Sequence, residues 1–138
     1  MANMLTKFIF DRMHIPDNKS FLDLTGLRHK LISGNIANVS TPGYRSQDID
    51  FKKEFARATG QTSQLDGQLT NERHIPLGNN PARPPRVNDV KIKEGEMNSV
   101  DIDREISNLA QNELLFTIGA RMLQRKFEGL RTAIRSKG

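Results

Sequence analysis

The C-terminal forty residues constrain the fold most, because apolar side chains recur there with the spacing of one long amphipathic helix. From Asn98 to about Ser136 they step by threes and fours, which is the heptad pattern of a coiled-coil seam. The positions are Ile102, Ile106, Leu109, Phe116, Ala120, Leu123, Phe127, Leu130 and Ile134. A second apolar strip, Leu115, Ile118 and Met122, predicts that this helix makes contacts on two sides.

Charged and capping residues predict where this helix begins. Asn98 and Ser99 can cap it, and Asp101, Asp103 and Glu105 suit the positive end of a helix macrodipole. Basic residues crowd the other half, where they suit the negative end: Arg121, Arg125, Lys126, Arg131, Arg135 and Lys137. We therefore expect a helix that occupies most of the segment 98–138.

A second helix is predicted from about Ser20 to Val39. Asp17, Asn18 and Ser20 offer oxygens for its N-cap. Two neighbouring stripes at helical spacing follow, one of Leu24, Leu27 or Arg28, Leu31 and Asn35, the other of Ile32, Ile36 and Val39. Both faces of this helix are therefore partly apolar.

This first helix is expected to end near Asn38, where a Pro-Gly turn follows. Pro42 has no amide hydrogen and disfavours helical geometry at Thr41. Gly43 accepts a positive φ, which the third position of a type II turn requires. The motif that we expect to set the helix-to-turn junction and to enter a neighbour contact is Asn35, Ile36, Ala37, Asn38, Thr41, Pro42, Gly43 and Tyr44.

The middle of the chain, residues 45–97, lacks the composition of a packed core. Asp48–Phe51 alternates as a short strand would, and Lys52–Ala58 is compatible with a helical turn. From Gly60 onward polar residues dominate, and Pro84-Pro85 favours polyproline II over a central strand. We expect an extended, partly disordered segment in the monomer. The two places that suit short β pieces are Leu65–Leu69 and Val90–Ile92.

These elements predict a mainly α fold in which the N- and C-terminal helices pack as a coiled-coil-like hairpin. The residues expected to carry helix packing are Leu24, Leu31, Ile106, Leu109, Phe116, Leu123, Phe127, Leu130 and Ile134. We expect one structural domain with four segments. They are an N-terminal export and assembly segment (1–19), a helix with its turn (20–44), the flexible or extended middle (45–97) and the C-terminal helix (98–138).

The bulk composition bounds the function without choosing it. Only 36% of residues are hydrophobic, which predicts a thin core and a monomer that is partly unfolded until neighbouring subunits supply more burial. The formal charge of +5 admits nucleic acids, anionic membranes or acidic proteins as partners. The absence of cysteine excludes disulfides and thiolate metal sites.

No pattern in the chain predicts catalysis, a metal site or a cofactor. The three histidines are scattered without ligand spacing, and no nucleophile elbow or phosphate-binding loop is present. Counting from Asp101, an EF-hand loop would need Gly and Glu where Ile106 and Asn112 stand. The basic C-terminal face lacks an aromatic platform, because Tyr44 stands alone, and indicates a solvated surface rather than a nucleic-acid site.

Several stretches resemble the rod and hook proteins of the bacterial flagellum. The most specific combines Asn35-Ile36-Ala37-Asn38 with Thr41-Pro42-Gly43-Tyr44 inside the segment 27–44. Four further stretches resemble the small proximal-rod type, FlgB, in particular: Asp48–Phe51, Thr70–Ile75, Asn98–Glu105 and Lys126–Arg135. The resemblance covers almost the whole chain from about Phe21.

The resemblance implies a rod subunit whose terminal helices form an inner domain lining a hollow shaft. It implies self-association in the rod, together with rod proteins of the FlgC type and the adaptor protein FliE as partners. Export through the flagellar type III apparatus without a cleaved signal, and assembly in the periplasm, are also implied. No nucleic acid and no small-molecule substrate are expected.

The N-terminal patch 4–10 is consistent with such export. It is too short for the apolar region of a signal peptide, and no small-residue cleavage site follows it. By itself the patch also fits a weak membrane anchor. We interpret it as an export or assembly segment.

Two functions of other classes compete with the rod interpretation. A basic coiled-coil protein that binds nucleic acid would bind DNA in a salt-sensitive manner and stay in the cytoplasm. An export chaperone or adaptor for rod proteins would be a stable, folded soluble dimer. A rod subunit of the FlgC type is a third, closely related alternative.

Overall fold

The computed structural model of the protein describes residues 14–61, 84–92 and 96–135. Its elements in chain order are α1 (Ile15–Ala37), β1 (Gln47–Ile49), α2 (Phe51–Ala58), β2 (Val87–Asp89) and α3 (Ile102–Arg135). Helices α1 and α3 pack as an antiparallel hairpin, since Asn112 contacts Thr25 while Lys126, further along α3, contacts Asn18 near the start of α1. The predicted mainly α fold with packed terminal helices is therefore confirmed.

Helix α1 begins five residues earlier than predicted. Its N-cap is His14, which adopts the left-handed conformation with φ 51° and gives no side-chain cap bond. Pro16 lies in the first turn, where its fixed φ suits a helix and its missing amide hydrogen leaves no donor without a partner. Asp17 and Asn18, predicted as caps, lie inside the helix, where Asp17 accepts a hydrogen bond from His14 Nδ1 at 2.9 Å.

The short elements also differ from prediction in their limits. The strand predicted over Asp48–Phe51 is Gln47–Ile49, because Asp50 instead caps α2 by accepting from the Lys53 amide at 3.1 Å. The helical turn predicted at 52–58 is α2. Strand β2 is Val87–Asp89 rather than 90–92, since it pairs antiparallel with β1 in the register that places Asp48 opposite Asn88. The other predicted β piece, 65–69, lies outside the described residues.

Helix α3 begins at Ile102, four residues after the predicted start. Asp101 caps it: its Oδ1 accepts from the Arg104 amide at 3.2 Å, and its carbonyl accepts from the Glu105 amide at 2.9 Å. Asn98 and Ser99, predicted as caps, instead bond to the α1–β1 connection. At about 1.5 Å per residue, the 34 residues of α3 extend for about 51 Å.

Buried side chains in the described part of the chain are more often polar than apolar. The buried apolar residues are Ile15, Leu24, Ile32 and Ile49. The buried polar ones are Thr25, Asn35, Ser46, Glu54, Glu105 and Asn112. An edge-to-face aromatic group of Phe21, Phe51 and Phe55 adds packing between α1 and α2. Polar contacts therefore contribute much of the packing between these elements. The expected partial unfolding of the monomer stays a prediction.

Candidate assembly surface

Asn35 joins α1 to β1 through both halves of its side-chain amide. It is 1% exposed, its Nδ2 donates to the Gln47 carbonyl at 2.8 Å, and its Oδ1 accepts from the Gln47 amide at 2.9 Å. Tyr44 Oη donates to the same oxygen at 3.3 Å. The amide thus pairs with the Gln47 backbone as a neighbouring strand would. Aspartate could not replace it, because a carboxylate has no donor for the carbonyl.

The rest of the predicted motif closes the end of α1 and the turn after it. Asn38 Nδ2 donates to the Gly34 carbonyl at 2.9 Å, and Thr41 Oγ1 donates to Asn38 Oδ1 at 3.1 Å. Gly43 has φ 75°, in agreement with the predicted positive φ, and its amide donates to the Met97 carbonyl at 2.8 Å. The motif therefore forms one connected junction.

Exposure separates the motif into an inner and an outer part. The buried or half-buried residues are Asn35, Ile36, Asn38 and Tyr44, and the exposed ones are Ala37, Thr41, Pro42 and Gly43. The contacts that the inner residues make within the chain account for the spacing of the motif residues. The neighbour contact that we expect of this motif stays a prediction.

Sequence reasoning missed the side chains that attach this junction to the segment before α3. The Ser46 amide donates to Ser99 Oγ at 2.7 Å, and Ser46 Oγ donates to the Ser99 carbonyl at 3.0 Å. Asn98 Nδ2 donates to the Val39 carbonyl. Two small polar residues before a helix are typical of a cap, and only the fold brings them against residues more than fifty positions away.

The face of α3 toward α1 carries a polar or small residue at every seventh position: Glu105, Asn112, Gly119 and Lys126. Asn112 is 1% exposed, and its Nδ2 donates to the Thr25 carbonyl at 2.9 Å. Lys126 Nζ donates to Asn18 Oδ1 at 3.1 Å and to the His14 carbonyl at 3.3 Å. Polar pairs at such positions fix the register of paired helices.

Gly119 marks the closest approach of the two helices. A Cβ atom built on it would lie 2.8 Å from Phe21 Cδ1 and 3.1 Å from Leu22 Cδ2. Real Cβ atoms do not approach carbon that closely, so any larger residue here would push the helices apart. The glycine is therefore required by packing in the hairpin.

Glu105, like Asn112 in the same column, has a buried side-chain oxygen without a hydrogen-bond partner among the described residues. It is 7% exposed, and its Oε2 has no hydrogen-bond partner among the described residues. Burial raises the pKa of the Glu105 carboxyl, and the charge of Asp48 acts in the same direction, while Asn35, Arg104 and Arg28 oppose them. Arg28 is itself paired with Asp48 through two bonds of 3.0 Å.

Two exposed apolar strips flank this inward column on α3. The first contains Ile102, Ile106, Phe116, Phe127 and Ile134, and the second contains Leu114, Ile118 and Met122. All eight side chains are between 42% and 75% exposed, so half or more of a typical member faces solvent. Exposed large apolar side chains in rows along a helix are a mark of a protein interaction site.

The residues predicted to carry helix packing divide between the two surfaces. Leu24 is buried, and Leu31, Leu109, Leu123 and Leu130 are half-buried in the hairpin. Ile106, Phe116, Phe127 and Ile134 are exposed. The role of these four side chains in helix packing stays a prediction, since half or more of the surface of Ile106 and Ile134 faces solvent.

Neither a metal site nor a membrane-spanning helix is found in the described residues. Within them, no three histidine or carboxylate side chains are grouped so as to hold a metal ion. None of the helices in this part of the chain has an apolar stretch long enough to cross a bilayer. His14 bonds to Asp17 and His29 is exposed, whereas His74 lies outside the described residues.

Comparison with known proteins connects these surfaces to a family. The flagellar basal body rod protein FlgB of Yersinia ruckeri is 34% identical over 123 residues, which cover 82% of this chain and 87% of that protein. FlgB of Salmonella typhimurium is 36% identical over 117 residues, covering 79% and 83%. This chain belongs to the flagellar basal body rod protein FlgB family.

A third FlgB protein is similar over about the same share of the chain. FlgB of Escherichia coli is 33% identical over 125 residues, which cover 83% of this chain and 88% of that protein. No protein-family model matches the chain. The family membership confirms the resemblance of the sequence motifs to the FlgB type.

Proposed function

We propose that this protein is a structural subunit of the bacterial flagellar basal-body rod that polymerises through its terminal helices into the periplasm-spanning drive shaft. The observation that carries the proposal is the pair of exposed apolar strips on α3 in a chain of the FlgB family. A rod that transmits torque needs many contacts between subunits. A helix with apolar side chains on both flanks supplies them by burial, at about 25 cal/mol per Å².

The proposal assigns a separate task to each surface of α3. The inward column sets the shape of the hairpin through the Asn112–Thr25 and Lys126–Asn18 bonds. The two strips remain available for neighbouring subunits. Rod proteins of the FlgC type, FliE and further copies of this chain are the proposed partners, and the protein acts as a building part rather than as an enzyme.

The four-segment organisation belongs to the same proposal. Residues 1–19 serve export and the first assembly contact, and residues 15–19 also begin α1 of the hairpin. Residues 20–44 and 98–138 supply the rest of the hairpin, and residues 45–97, which contain β1, α2 and β2, cover its surface. Export through the flagellar type III apparatus, without a cleaved signal, delivers the chain to the periplasmic rod. The family membership supports this route, because the Salmonella and Escherichia coli relatives are named as basal-body rod proteins.

Mass spectrometry of purified, salt-washed basal bodies tests the function directly, with the cytosolic fraction of the same cells as control. The full-length chain is expected in the particle, with its original N-terminus. Recovery only in the cytosol, with retention on DNA at low salt, would replace the rod function with the nucleic-acid one. Recovery as a cytosolic dimer bound to rod proteins would indicate a chaperone.

A further inference from the structure

Charge is distributed unevenly along α3. Residues 119–135, here called the basic end, carry five basic side chains and one acidic side chain, a net charge of +4. Arg121, Arg125, Arg131 and Arg135 are exposed, and no carboxylate among the described residues is paired with them. This end is therefore a strong positive surface that no contact within the described chain neutralises.

A cleft at the other end of α3 has the opposite sign. It lies between the β1–β2 pair, the segment 96–101 and the first turns of α3, and its volume is about 570 Å³. The charged residues that line this acidic cleft are Asp48, Glu96, Asp101, Glu105, Lys91 and Arg104. Four carboxylates face two basic side chains of the lining, and Arg28 pairs with Asp48 from outside it, so a net charge of −1 remains.

A buried, unpartnered group at the acidic cleft makes it more than a cluster of acids. Glu105 borders the cleft and is 7% exposed, yet its Oε2 has no partner among the described residues. A buried carboxylate oxygen without a donor is unfavourable, and a cationic donor would satisfy it with a charge-assisted bond. Lys91 and Arg104 line the same cleft, yet neither donates a hydrogen bond to this oxygen.

The two charged regions cannot meet within one molecule. At about 1.5 Å per residue, Glu105 lies about 24 Å from Arg121 and about 45 Å from Arg135 along one continuous helix. Complementary surfaces at opposite ends of a rigid element can join only between molecules. After two molecules join head to tail, the pair still has one unoccupied acidic cleft and one unoccupied basic end. The contacts therefore propagate into an open chain unless the rotation between successive molecules closes a ring.

We propose that the acidic cleft receives the basic end of α3 from a second copy of this chain, so that copies join head to tail. This inference rests on the proposed function, in which copies associate along α3. The charges set the direction and stagger of the contact, while the apolar strips supply most of its free energy. Parallel packing in register would place equal charges side by side and is disfavoured.

Charge reversal of each partner surface, with full-length protein in sedimentation velocity, tests the inference. The cleft variant carries Val90→Lys, Met97→Lys and Asp101→Asn. Val90 and Met97 have exposed side chains and contribute only backbone bonds, and asparagine keeps a cap oxygen at position 101. The end variant carries Arg121→Glu, Arg125→Glu and Arg131→Glu, all at exposed positions.

The matched control changes the same number of exposed basic residues outside both surfaces, with Lys30→Glu, Lys52→Glu and Lys53→Glu. Circular dichroism of every variant shows whether the helices still form. The wild type and the control are expected to grow in mass with concentration, and less so at high salt. Each reversed variant alone is expected to associate about tenfold or more weakly, because like charges then meet.

Mixing the two reversed variants decides the outcome. Each surface then meets one of opposite sign on the other variant, so an equimolar mixture is expected to regain association, as is a chain carrying all six substitutions. A mixture that stops at a dimer would replace head-to-tail growth with a closed antiparallel pair. Undiminished association of both variants would overturn the inference and leave the proposed function intact. Absence of the wild type from basal bodies would instead remove the proposed function.

Discussion

On α3, the column of residues that faces α1 at every seventh position differs in kind from the two exposed strips beside it. Every seventh inward residue is polar or glycine, as at Glu105, Asn112 and Gly119, whereas the flanking strips are apolar. An amphipathic helix of a self-sufficient monomer buries its apolar side and solvates its polar one. On α3 the half-buried Leu123 and Leu130 join the polar column in the hairpin, while further apolar side chains stay exposed on the flanks. This arrangement indicates that the polar inward contacts specify the geometry of the hairpin and that the flanks are available for burial against other molecules.

The largest expected effect on the hairpin is that of Gly119→Leu. The new side chain would overlap Phe21 and Leu22, and the free energy of unfolding should fall by about 3 kcal/mol. Gly129→Ala is the matched control, because it lies on the same helix with no atom near its Cβ position. It should raise stability by about 0.5–1 kcal/mol through helix propensity. Urea titration followed by circular dichroism measures both, and equal losses at the two glycines would contradict the close contact.

The next largest effect is expected at the junction. Asn35→Ala removes the partner of both Gln47 backbone groups and of Tyr44, and should lower the free energy of unfolding by about 2 kcal/mol. Asn35→Asp should lower it similarly, since the carboxylate would face the Gln47 carbonyl without a donor. Ser33→Ala, at an exposed position of the same helix, is the control. If the aspartate variant matched the wild type, the two-sided amide pairing would be wrong.

A smaller effect is expected from Glu105, and it depends on pH. Because the folded state raises the pKa of this carboxyl, the cost of its charge is absent below the ordinary value of 4.5 and complete above the raised value. The free energy of unfolding of the wild type should therefore fall relative to that of Glu105→Gln as the pH rises through that window. The measurement is the free energy of unfolding of both proteins as a function of pH. If the two values changed in parallel, the Glu105 charge would already be compensated in the folded state.

These expectations also separate what the sequence could predict from what it could not. The hairpin, the Pro-Gly turn and the positive φ of Gly43 followed from periodicity and residue chemistry. The facing side of α3 did not, because periodicity shows which residues share a face but not which partner that face meets. The apolar pattern predicted hairpin contacts for Ile106 and Phe127, which are about half exposed. It did not predict Asn112, which bonds to Thr25.

The predicted start of α3 and the predicted position of β2 were wrong for a related reason. Asn98, Ser99 and Asp101 are all good cap residues, and only the contacts with Val39 and Ser46 release the first two from that role. Likewise β2 is set by pairing with β1 rather than by its own alternation. In both cases a long-range contact chose among options that were locally nearly equal.

The central claim, that the inward face shapes the hairpin and the flanks build the assembly, is tested most directly by Ile106→Gln with Phe127→Gln. Both residues lie in the first exposed strip, and Ser107→Gln with Thr117→Gln is the control at exposed polar positions of the same helix. The account predicts a change in unfolding free energy of no more than about 1 kcal/mol, because these side chains are already half solvated. It also predicts loss of the double variant, but not of the control, from purified basal bodies. Normal incorporation of the double variant, or collapse of its hairpin, would contradict the account.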